Sequence, residues 1–140
     1  MKLSAARILY AKEAVRNGVK LLDKVEPGWE KKIDLTRLDL SSTRCCMLGQ
    51  IYGEYNVDTL LLSALKVVRE FSERYSLPEV NDTESQAKFG FEAPVGIYGS
   101  DGLLQPYFSL LTELWTAVIE KRRKKDVAKE RVRRQRINAN

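Results

Sequence analysis

The sequence predicts a mostly α fold: a compact bundle of about four helices, a long glycine-rich loop and a protruding basic C-terminal helix. Three observations predict it. Apolar residues recur three and four apart in the segments 5–24, 57–76 and 103–119, the period of a one-sided helix rather than of a strand. Starts and stops stand at the segment ends as Ser4, Pro27-Gly28, Asn56 and Pro78. A hydrophobic fraction of 44% over 140 residues suits one domain with a real core and argues against wholesale disorder.

The first helix is expected to start after Ser4 as cap and to run to about Lys24. Ile8, Ala11, Val15, Val19, Leu22 and Val25 form its apolar stripe, weakened locally by Gly18. Pro27-Gly28 ends it, and Trp29 and Ile33 open a short turn or helix. The next stretch, with Ile33, Leu35, Leu38 and Leu40, reads as an irregular connector over 30–42 whose leucines reach the core. Ser41-Ser42-Thr43 offers capping hydroxyls for a second helix holding Cys46 to Tyr55. Gly49 and Gly53, four apart on one face of that helix, cost roughly 1 kcal/mol each against alanine and predict close approach of another helix.

Asn56 caps a third helix from about Val57 to Ser76, with Leu61, Leu65, Val68, Phe71 and Tyr75 inward, and Pro78 stops it. Residues 79–102 read as a long loop that is either functional or hides a short element; Val95–Tyr98 could be a brief strand. Ser100-Asp101 is expected to cap a final helix whose face is Leu104, Phe108, Leu111, Trp115 and Ile119. Beyond Ile119 that apolar face vanishes. Domain organisation follows: residues 1–120 as a single helical domain, 121–140 as a basic helical extension or tail.

Charge sharpens this division. Residues 1–120 hold 14 Lys/Arg and 17 Asp/Glu, whereas residues 121–140 hold 10 Lys/Arg and 2 Asp/Glu. A slightly acidic body with a basic arm suggests an anionic partner, or an arm that folds back on its own body. The chain has no histidine, which removes Ser–His and Cys–His nucleophile pairs, His-ligated metals and imidazole acid–base work. Only two cysteines are present, and they are adjacent, so a disulfide framework is excluded and a reduced, intracellular setting is expected. The N-terminal residues lack the apolar run of a signal peptide, and no apolar stretch is long enough to span a bilayer. A cytoplasmic protein without membrane contact is the expectation.

Candidate sites are few. In the arm, Arg122, Arg123, Lys124, Lys125, Arg131, Arg133, Arg134 and Arg136 could meet phosphates or an acidic protein surface, or could simply form a solvated helix. The arm has no aromatic residue for base stacking. Cys45-Cys46 could be a nucleophile, with Arg44 lowering a thiol pKa, or buried hydrophobes. Ser41–Arg44 has the elements of an anion site, or is a cap. Glu79, Asp82, Glu84 and Glu92 fit no calcium-loop spacing. Phe89, Phe91 and Tyr98, in a glycine-rich setting, are candidate partner-binding aromatics; Tyr107 and Trp115 are assigned to the core. No catalytic constellation, cofactor or metal site is expected.

One string resembles a known group. Trp29-x3-Ile33, Leu38-Asp39-Leu40-Ser41-Ser42 and Cys46-Met47-Leu48-Gly49-Gln50-Ile51-Tyr52-Gly53-Glu54-Tyr55 are similar to segments of small proteins encoded by phages of actinobacteria. Gly90-Phe91 and Leu111-Thr112-Glu113-Leu114-Trp115 follow in the corresponding order, so the likeness covers about residues 29–120. The resemblance implies a phage accessory gene working inside the infected or lysogenic host, and it assigns no activity. Two functions are therefore expected: a non-catalytic interaction protein that occupies a host or defence protein, or a nucleic-acid-binding accessory protein acting through the arm. Oligomeric state is not readable from the sequence.

Overall fold

In the computed structural model, residues 2–42, 44–52, 83–100 and 102–139 are described. They are mostly helical, with no strand among the described residues. Helix α1 spans Ala5–Val25, as its stripe and cap predict. The Ser4 hydroxyl accepts a hydrogen bond from the Arg7 backbone N–H at 3.2 Å, satisfying one of the donors that a helix start leaves open. Ala11, Ala14, Val15, Gly18, Leu21 and Leu22 are its buried residues. Gly28 then turns the chain with φ +83°, and a 3-10 turn, Trp29–Lys32, follows.

The connector is irregular, and its leucines do reach the core. Ile33, Leu38 and Leu40 are buried, and Leu35 packs against them. Two carboxylates shape it locally. Asp34 accepts from the Thr36 N–H and hydroxyl, and Asp39 accepts from the Ser41 N–H and hydroxyl, each folding the backbone over two residues. The Leu40 N–H donates to Thr112 Oγ1 at 3.0 Å, tying the connector to the last helix. Ser42 accepts the Cys45 N–H on its hydroxyl and the Cys46 N–H on its carbonyl, so its role is structural. Helix α2, Met47–Tyr52, buries Met47, Leu48, Gly49 and Ile51. Gln50 clips it to the connector, accepting the Asp34 N–H and donating to the Asp34 and Cys45 carbonyls. Gly53, the partner expected for Gly49, lies outside the described residues, as do the expected cap Asn56, the 57–76 helix and Pro78.

The segment expected as a loop carries two short helices, α3 at Thr83–Lys88 and α4 at Val95–Tyr98. The brief strand expected at Val95–Tyr98 is thus one helical turn. Elements of six and four residues are too short to show a period, and the glycines around them mask the signal. The longest helix, α5, spans Leu104–Asn138. Its expected cap is corrected at Ser100: Leu103 stands at the start with no side-chain bond, while the Ser100 hydroxyl donates to the Gly96 carbonyl; Asp101, the other half of that cap, lies outside the described residues.

The core centres on Trp115, which is fully buried. Its indole N–H donates to the Gly90 carbonyl at 2.8 Å. Phe91 stacks on it at 5.7 Å between ring centroids, and Trp29 meets it edge-on at 5.5 Å. Phe89 and Phe91 are each only 4% exposed. This corrects their assignment as partner-binding residues: both rings belong to the hydrophobic core. Glycine makes the arrangement possible at two positions. A Cβ on Gly18 would stand 2.1 Å from the Phe89 carbonyl oxygen and 2.8 Å from Trp115 Cζ2. Gly90, at φ +73°, lies against Val15, where a Cβ would come within 3.0 Å of that residue's backbone.

Candidate functional site

Ile119 is the last buried residue of α5. After it the sequence is mostly charged and its few large apolar side chains, Val127, Val132 and Ile137, are exposed, so the continuation of the helix rests on propensity and its own charge pairs. The first two arginines of the arm nevertheless belong to the body. Arg122 grips Asp23 with both guanidinium nitrogens at 2.7 Å and lies 5.4 Å above the Trp29 ring. Trp29 donates its indole N–H to the same carboxylate at 3.0 Å. Glu30 completes the cluster, with a carboxylate oxygen 3.8 Å from Arg122. Arg123 donates to the Glu30 and Ile33 carbonyls. The Arg122 guanidinium holds the Asp23 carboxyl below the usual carboxylate range, against the opposing pull of partial burial. Asp23 in turn holds the Arg122 guanidinium above its ordinary value.

These contacts correct the expectation that Arg122 and Arg123 are free for a partner. They fix the direction in which α5 leaves the body. Beyond Arg123, residues 124–139 are exposed, with Glu130 alone half-buried. Lys124, Lys125, Lys129, Arg131, Arg133, Arg134 and Arg136 face two carboxylates there, Asp126 and Glu130. Arg133 and Arg134 both pair with Glu130, at 2.8 and 3.3 Å, along the helix. Lys124, Lys125, Lys129, Arg131 and Arg136 make no ion pair among the described residues. The arm is therefore a rail of solvated cations on a fixed mount. Such a rail can attract a polyanion.

The other candidates have local partners. Tyr98 is 49% exposed, and its hydroxyl donates to Glu92, which also accepts the Ala93 N–H. Partial burial, then that carboxylate, push the Tyr98 hydroxyl up, so it stays protonated. Neither cysteine is in a disulfide, and both are half-buried. Burial pushes the Cys46 thiol up, opposite to what a nucleophile needs. Arg44 is exposed, and Glu79 and Asp82 lie outside the described residues. Among the described residues no three metal-ligating side chains gather, and no helix is long and apolar enough to cross a membrane. No protein-family model, no curated protein and no solved structure matches the chain.

The arm is legible in the sequence and its mount is not. Asp23 and Glu30 were legible only as surface acids of the N-terminal half. Nothing in the sequence pattern links them to Arg122, because a charge pair across the fold leaves no periodic trace.

Proposed function

We propose that this chain is a non-catalytic accessory protein that binds nucleic acid through the basic arm of α5. The observation that carries the reading is the row of exposed cations on residues 124–136, five of them without an acidic partner among the described residues. Such a row favours phosphate contact, the main source of sequence-independent affinity. Occupation of a host or defence protein is the weaker reading, because Phe89 and Phe91 are buried and Tyr98 is hydrogen-bonded to its own chain.

Fluorescence anisotropy with the full chain and labelled nucleic acid tests the proposal. Five or six phosphate contacts give an affinity that falls by about a thousand-fold between 50 and 200 mM salt. Replacing Lys124, Lys125, Lys129, Arg131 and Arg136 with glutamine should remove most of that dependence while the melting temperature is retained. Binding that ignores salt, or that survives the replacement, would overturn the proposal.

A further inference from the structure

The cations of the arm are not spread evenly around α5. At 3.6 residues per turn, Lys121, Lys124, Lys125, Lys129, Arg131 and Arg136 fall within a sector about 160° wide. Asp126 and Glu130 fall outside it, on the side that continues the buried edge of Trp115 and Ile119. Arg122, Arg123 and Arg133 share that inner side and are occupied by Asp23, by backbone carbonyls and by Glu130. The outer sector is thus free of acid over four turns. Its midline carries Lys121 in the first turn and then Ala128 and Val132, with Lys125 and Gln135 about 40° to either side, all exposed. Ala128 and Val132 border a shallow surface depression with Lys129, Arg133 and Arg136.

Resting on the nucleic-acid reading, we infer that the ligand of this face is double-stranded DNA, with the outer side of α5 seated in the major groove. The dimensions agree. The cationic stretch from Lys121 to Arg136 is about 24 Å long, and a helix about 10–12 Å across matches a groove about 12 Å wide. Beyond Lys121, the small midline residues Ala128 and Val132 let the helix axis sink toward the base edges. Long cations on both flanks reach outward to the two phosphate rims. The chemistry also argues against the alternatives. Single strands are held by stacking on aromatic rings, and the arm has none. A-form RNA has a deep, narrow major groove that an α-helix does not enter. Valine and alanine on the midline suit contact with thymine methyl groups, and Gln135 can read an adenine edge.

The test compares a mixed-sequence DNA duplex, one of its single strands and the RNA duplex of the same sequence, each binding the full chain in low salt. Two variants add one negative charge to exposed positions of the arm. Val132→Glu places it on the midline, and Val127→Glu places it outside the sector. The inference expects the DNA duplex to bind at least about ten-fold tighter than either other probe. It expects Val132→Glu to weaken DNA binding at least about ten-fold more than Val127→Glu, and a minor-groove polyamide not to displace the protein. Equal affinity for the three probes, equal loss in the two variants or displacement by the polyamide would overturn groove docking and leave the proposed function standing. Binding to none of the probes would remove both. Circular dichroism of each variant confirms that the helix is kept.

Discussion

Gly18→Ala is the most informative perturbation of the fold. In an exposed helix this change stabilises by about 1 kcal/mol. Here the added methyl meets the Phe89 carbonyl oxygen at 2.1 Å, so the oxygen must retreat by about 1.3 Å to reach the 3.4 Å of ordinary contact. Trp115 Cζ2 and Cη2, at 2.8 and 2.9 Å, must give as well, and a fully buried indole has nowhere to go. Moving Phe89 drags Gly90, whose carbonyl accepts the Trp115 N–H. Loss of that bond leaves a buried donor unpaired at about 1–3 kcal/mol, and overpacking adds about 1–3 kcal/mol. Set against the propensity gain, the net destabilisation is about 1–5 kcal/mol. For a chain of this size that lowers the melting temperature by roughly 3–20 °C. Thermal melts followed by circular dichroism measure it, and a red shift of tryptophan emission reports the disturbed Trp115. A variant as stable as the parent or more so would refute the close crossing of α1 with the Phe89–Gly90 turn.

Two further predictions concern titrating groups. Asp23→Asn should destabilise the protein by about 1 kcal/mol at neutral pH, the scale of a partly exposed charge pair. Because the Asp23 carboxyl is held below its unfolded value, near 3.9, its contribution is present above about pH 4 and is lost as pH falls through the folded value. The gap between parent and variant in urea melts should therefore close below about pH 4; a gap constant down to acid unfolding would contradict the pairing. Cys46, with its thiol pushed up by burial, should react with iodoacetamide at neutral pH several-fold more slowly than free cysteine, as read by mass spectrometry of the Cys45–Cys46 peptide. Faster reaction would show a thiolate that this environment does not support.

What could be read from the sequence was what side chains announce locally. Ser4, the stripe of α1 and Pro27-Gly28 set that helix within a residue of its observed ends. Leu38, Leu40, Tyr107 and Trp115 were assignable to the core because apolar residues between polar neighbours have few other places to go. The failures share a different physics. Gly18 looked like a weak point because its value lies in what touches it, and Phe89 is 71 positions away in the chain. Phe89 and Phe91 looked available because glycine neighbours suggest openness, yet Gly90 serves to bring Val15 near. The arm itself was evident from composition. That Arg122 and Arg123 belong to its mount was not, since a cation's partner leaves no periodic trace.

The continuity of α5 has a mechanical consequence. Between Tyr107 and Ala139 the helix contains neither proline nor glycine, the usual places where a helix bends. It acts as a stiff spar, its inner half anchored in the core by its own Trp115 and its outer half reaching about 30 Å past Ile119. Whatever grips the tip is therefore held at a set stand-off and bearing from the globule. Any torque on the tip is delivered straight to the tryptophan at the centre of the molecule.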